Sequence, residues 1–194
     1  MPDRGIRTWI YANWPYAGLT ACLFLLLMTP LLWSSWSGAM LLVYLQLPLY
    51  MIHQVEEHHR DRFRAFVNRH MAGGRDALTT EGVVIINLGG VWAVDLVALY
   101  LAYFVRPGLG LIAVYLPIVN GLVHVAGWAG LREYNPGLVS AVTLLLPAGA
   151  AGWWLLVREG CTMADHAWGL GVAIAIHVAI VVSVRRQAVR LMGE

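Results

Sequence analysis

The run His53-Gln54-Val55-Glu56-Glu57 brings an imidazole and two carboxylates to the end of an apolar stretch. Ionisable groups beside hydrocarbon are costly, and they persist there mainly where they pair, bind an ion or do chemistry. On a helix turning about 100° per residue, Glu56 falls about 60° to one side of His53, Glu57 about 40° to the other, and Arg60 within about 20°. One helix face therefore carries an imidazole, two carboxylates and a guanidinium. His58 and His59 are expected to point away, into headgroups or water.

Other apolar segments carry isolated polar residues: Asn87 and Asp95, then Asn120 and His124 one turn apart, Ser140 and Thr143, and His177. At about 1.5 Å per residue, His53 lies about 10 Å in from Arg60, and His124 and His177 about 12 Å in from Arg132 and Arg185. Asn87 is about 9 Å in from Glu81 by the same rise. Three imidazoles and an amide from four segments thus share one depth, whereas Asp95 and Asn120 lie deeper. Asp95 there needs a proton or a partner, for which Asn87 and Asn120 are candidates.

Such a set has the chemistry of a divalent metal site. His53, His124, His177 and Glu57 are the candidate ligands, with zinc the best fit and iron the second choice. Glu56, or Glu57 if unbound, is the candidate general base, and Asn120 could stabilise an oxyanion. Arg60, Asn87 and Arg132 are candidates for holding a substrate headgroup. Each piece also has a plainer reading. Glu56 or Glu57 with Arg60 is an ordinary intrahelical ion pair, Asn120 with His124 is ordinary interhelical packing, and a lone interior His177 is weak grounds for a ligand.

The segments that must position these groups are transmembrane helices. Only 12% of the 194 residues are charged, 59% are hydrophobic, and mean hydropathy is +0.65; soluble domains carry about 25% charge. Six spans are expected, at about 16–34, 38–57, 82–105, 109–130, 136–157 and 166–184. They make one all-α transmembrane domain over 1–194, a six-helix bundle. The first span is expected to stay uncleaved. Thr79-Thr80-Glu81 and Asn135-Pro136 read as helix starts, with Asn135 as cap and Pro136 at the first helical position. Phe63, Phe66, Val67 and Met71 recur opposite Arg62, Arg64 and Arg69, which predicts a short amphipathic helix lying on the cytoplasmic leaflet.

Arginine placement sets the expected orientation. Arg4, Arg7, Arg60, Arg62, Arg64, Arg69, Arg75, Arg132, Arg185, Arg186 and Arg190 fall on one side, against Arg106 and Arg158 on the other. Both termini are then cytoplasmic. The 13 basic residues are all arginine, and with abundant Ala, Leu, Gly and Val this suggests a GC-rich bacterium and hence a bacterial inner membrane. Cys22 and Cys161 lie too far apart along the bundle to bridge. The inverted zinc-protease signature fails because Glu57 stands where it needs histidine, and H-E-x-x-H is absent. The Glu-Glu-x-x-x-Arg pattern of CAAX-type intramembrane proteases meets Asp61 instead of arginine. No glycine-rich nucleotide loop is present, and the histidine boxes of di-iron membrane oxygenases are missing.

Several further runs carry a likeness. Tyr50-Met51-Ile52-His53-Gln54-Val55-Glu56-Glu57-His58, Arg62 to Asn68, Ile86-Asn87 before Gly90-Val91-Trp92, Asn120 with His124, and Tyr134-Asn135-Pro136-Gly137-Leu138 together resemble the HXXEE-motif family of small bacterial integral membrane proteins. The likeness covers most of 40–145. It implies a multi-span protein with a His/Glu site, strengthens His53, Glu56, Glu57, Asn120 and His124, and assigns no reaction. The leading expectation is a membrane-embedded metal-dependent hydrolase or transferase acting on a lipid or other hydrophobic substrate at the cytoplasmic leaflet. Membrane lipids and a second copy of the chain are the candidate partners; nucleic acid is not. The alternatives are a small carrier using Asp95, Asn120 and His124, and a membrane adaptor whose polar cluster only locks the bundle.

Overall fold

The computed structural model describes residues 5–193, without the side chain of Arg7. Arg4, counted in the charge bias, lies outside them. The described chain is all-α, and six of its helices are long and apolar enough to cross a membrane. We label the helices α1 (Ile6–Trp33), α2 (Gly38–His58), α3 (Arg62–Ala72), α4 (Thr80–Phe104), α5 (Leu111–Leu131), α6 (Leu138–Arg158) and α7 (Met163–Met192). Hydroxyl caps start three of them. Ser37 accepts from the Met40 N–H, Thr79 from that of Gly82, and Thr162 forms a reciprocal capping box with Asp165. Each satisfies donors that a first helical turn leaves unpaired.

α2 occupies the centre. In its most apolar window 61% of residues are buried, against 11% in α1 and 17% in α7, which form the outside. One core cluster gathers Met40 and Val43 of α2 with Ala98 of α4, Val114 of α5 and Leu156 of α6. The motif therefore sits on the helix that most others touch. α1 starts at Ile6, well before the expected 16, and its Trp14 is buried against the rings of His58 and Trp92.

The connection after α2 departs from expectation. Arg60 and Asp61 are consecutive left-handed residues, with φ of 55° and 61°. Non-glycine residues occupy that region at a cost, and local bonds hold the reversal. Arg62 donates to the Glu56 carbonyl at 2.7 Å and the His59 carbonyl at 3.1 Å. α3 then folds back onto the bundle. Its Phe63, Val67 and Met71 pack against Leu78, Val83 and Val184. The amphipathic helix is thus present, but this apolar face meets protein.

Two π-helical turns, Leu88–Trp92 and Ala141–Leu145, interrupt α4 and α6 beside the motif. Such wide turns recur at functional sites because they re-aim side chains. Both cysteines are free.

Candidate metal centre

The motif splits its two carboxylates between two tasks. Glu57 is buried beside His53 and His124, both also buried. Its Oε2 lies 3.6 Å from His53 Nε2, and its Oε1 lies 3.5 Å from His124 Nε2. One ligand atom from each of the three lies within 4.8 Å of the others. Ligands about 2.0–2.1 Å from a tetrahedral zinc stand about 3.3 Å apart, so this group could hold a metal ion with small adjustments.

Outer partners fix how both imidazoles face. Ser140 Oγ donates to Glu56 Oε2 and so can only accept from His53 Nδ1, at 2.9 Å. Asn135 donates its amide N–H to the His124 carbonyl at 2.9 Å, which turns its oxygen to accept from His124 Nδ1 at 2.5 Å. Each ring therefore carries its proton on Nδ1 and presents the Nε2 lone pair inward. Metal-bound histidines are held in the same way.

A third ring is reached through a chain of amides. Trp92 can only donate, and it donates to Gln54 Oε1 at 2.6 Å. Gln54 must then donate to Asn87 Oδ1, at 2.8 Å. Asn87 Nδ2 in turn donates to the Val83 carbonyl at 2.8 Å and meets His58 Nε2 at 3.2 Å. His58 Nε2 also stands 3.1 Å from Glu57 Oε2, where a neutral ring protonated on Nε2 would donate to the carboxylate. Asn120 Nδ2 donates to His53 Nε2 at 3.0 Å. With neutral rings, Glu57 thus faces two nitrogens, His53 Nε2 and His124 Nε2, that their other partners leave as acceptors. A buried arrangement of that kind is favoured by a cation or an added proton between the groups.

Glu56 does something else. It accepts from Tyr134 Oη at 2.6 Å, from the Val139 and Ser140 N–H groups at 3.2 and 2.7 Å, and from Ser140 Oγ. It is the anion at the N-terminus of α6, where unpaired amides and the helix dipole favour negative charge. Burial and the Glu56 bond push the Tyr134 hydroxyl's pKa upward, so it stays a donor. These donors leave Glu56 placed to orient Ser140, a different task from the water activation expected of it.

The remaining expected residues fall in three groups. His177 donates from Nδ1 to the Ala173 carbonyl and meets Asn120 Oδ1 through Nε2 at 3.3 Å. It stands one side chain away from the three-residue group. Asn87 is near the site but is committed to Gln54, Val83 and His58. Arg60 and Arg132 are exposed, and both have left-handed backbone. The helical wheel that aligned Arg60 with His53 stops applying at His58, where α2 ends. His58 also departs from expectation: it is 7% exposed and turned inward.

Asn135 was expected to cap a helix starting at Pro136. Instead α6 starts at Leu138, after Gly137 at φ 98°, and Asn135 holds His124. A side chain on Gly137 would place Cβ 2.8 Å from the Cε1 atoms of both His124 and His53. The Asn-Pro-Gly order signals a turn as readily as a helix start. Nothing local marks Asn135 as a partner of His124.

A cavity of about 230 Å³ opens beside this group. Glu57, His58, Asn87, Asn120, His124 and His177 supply polar wall, and apolar side chains of α3, α4, α5 and α7 supply the rest.

The model of one protein family, described as a protein of unknown function with HXXEE motif, matches residues 44–152. That is more than half of the chain. The chain belongs to the HXXEE-motif family. The matched stretch takes in His53, Glu56, Glu57, His124, Asn135 and Ser140 and ends before His177. Comparison with curated proteins and with solved structures gives no match. In this HXXEE chain the motif's histidine and second glutamate converge with His124, while its first glutamate ties α2 to α6.

Proposed function

We propose that this HXXEE-family protein is a membrane-embedded, metal-dependent enzyme that performs hydrolysis or group transfer on a lipid or other hydrophobic substrate. The observation that carries the reading is the inward Nε2 of His53 and of His124 on either side of Glu57, with each Nδ1 already committed. A divalent ion bound by these three would neutralise the facing acceptors, and zinc suits two imidazoles and a carboxylate best. Three protein ligands leave a coordination position for water or substrate, as hydrolytic zinc sites do. A metal on His53 Nε2 would release the Asn120 amide that now donates there, and Asn120 would then steady an oxyanion. His58 and His177, on the cavity wall, would carry protons. Arg60 and Arg132, exposed nearby, suit an anionic headgroup. The arginine bias supports a bacterial inner membrane with this end cytoplasmic.

Metal analysis of protein purified without chelators tests the reading. Stoichiometric metal is expected in the wild type and loss of it in His53→Ala and His124→Ala. Metal-free wild-type protein that takes up no zinc would overturn it.

A second reading, a proton-coupled carrier, draws on one observation. Asp95 is 1% exposed, and neither carboxylate oxygen has a hydrogen-bond partner among the described residues. Asn87 and Asn120, its expected partners, are engaged elsewhere.

A further inference from the structure

The cavity says more about the substrate than the metal centre does. α5 and α7 pack together from Gly169 of α7, where a Cβ would lie 2.7 Å from the Leu111 carbonyl oxygen of α5, to His177, which meets Asn120 Oδ1 at 3.3 Å. Toward the metal end α3 packs across the bundle, with Val67 and Met71 beside Val184 of α7, and these three residues all line the cavity. Two other lining residues, Val123 of α5 and Val181 of α7, are 51% and 41% exposed. Both lie on helices apolar enough to cross a membrane. Beyond the Asn120–His177 contact, the cavity is therefore bordered by exposed apolar side chains of α5 and α7. Its inner wall carries Glu57 and His124.

Volume limits the occupant. At about 30 Å³ per water-sized group, the space takes roughly eight methylenes. That accommodates part of one chain. What lies at such an opening in a bilayer is an acyl chain.

We infer that the cavity seats one acyl chain of a membrane lipid, entering sideways between α5 and α7, with its polar end presented to Glu57 and His124. The inference rests on the enzyme reading above for the role of that polar end. Most of a long chain stays in the bilayer, so chain length beyond the cavity contributes little to selectivity. The head end is what the metal ligands, Asn120 and His177 can discriminate.

The test uses full-length protein in lipid nanodiscs, palmitic acid carrying a mid-chain diazirine as the probe, ultraviolet cross-linking and peptide mapping. Labelling is expected on cavity residues of α5 and α7, including Val123 and Val181. Val181→Trp, at an exposed position, should lower that labelling about tenfold by filling the opening. Val181→Ala should leave it intact, and both variants should keep wild-type size-exclusion profiles. Labelling spread over the outward faces of α1 and α7, unaffected by Val181→Trp, would overturn the inference. So would preferential labelling by a diazirine farnesol, which would assign the cavity to a prenyl chain. Metal measured on the same samples separates the two readings. Cavity labelling of metal-free protein keeps the acyl seat and removes the enzyme, and metal without cavity labelling does the reverse.

Discussion

Two adjacent glutamates with the same pKa in water end up in different roles because they face different neighbours. Glu57 turns to three imidazoles, and Glu56 to a helix N-terminus. The wheel placed both on the His53 face, which is correct, but their angular separation is enough for separate partners. The residues that orient the rings are the sharpest test at this scale. Asn135→Ala removes the acceptor that holds His124 Nδ1. It should weaken metal binding about 10–100-fold, read by competition against a coloured chelator. Ser140→Ala frees His53 Nδ1 and should act in the same direction. Unchanged affinity in both would mean that the orienting bonds contribute nothing to ion binding.

At the scale of elements, the join between α5 and α6 is where local sequence signals compete. Asn135-Pro136 has the chemistry of a helix start, yet the helix begins after Gly137, because Asn135 is drawn to the His124 ring. Gly137 is required twice over, for its left-handed backbone and for the close approach of both rings. Gly137→Ala should therefore cost at least about 2 kcal/mol and abolish metal uptake, measured by thermal melting in detergent and by metal content. A stable, metal-loaded alanine variant would show that the rings can retreat. α3 shows the same limit in another form. Helical periodicity located Phe63, Val67 and Met71 on one face, but periodicity is blind to whether that face meets lipid or Val184.

For the whole molecule, the telling residue is Asp95, buried within α4 with no hydrogen-bond partner among the described residues. A carboxyl kept there without a hydrogen bond is a burden on stability. Asp95→Asn should leave metal content unchanged and raise stability by up to about 1 kcal/mol. Proton flux into proteoliposomes that Asp95→Asn removes would favour the carrier over the enzyme.

The sequence by itself determined the all-α class, the six long apolar helices and the family; of its four candidate ligands, His53, Glu57 and His124 form a buried group that could hold a metal ion, and His177 stands apart from it. Hydropathy is additive along the chain, and helical spacing places residues on faces without knowing their neighbours. Only the tertiary structure decided that Glu56 anchors α6, that His58 turns inward, that Asn135 and Ser140 fix the ring protons, and that Arg60 leaves the helix face of His53. Those outcomes depend on contacts between residues up to 87 positions apart, such as His53 with Ser140. A hydrogen bond at that separation is set by where helices cross, and no local pattern encodes it.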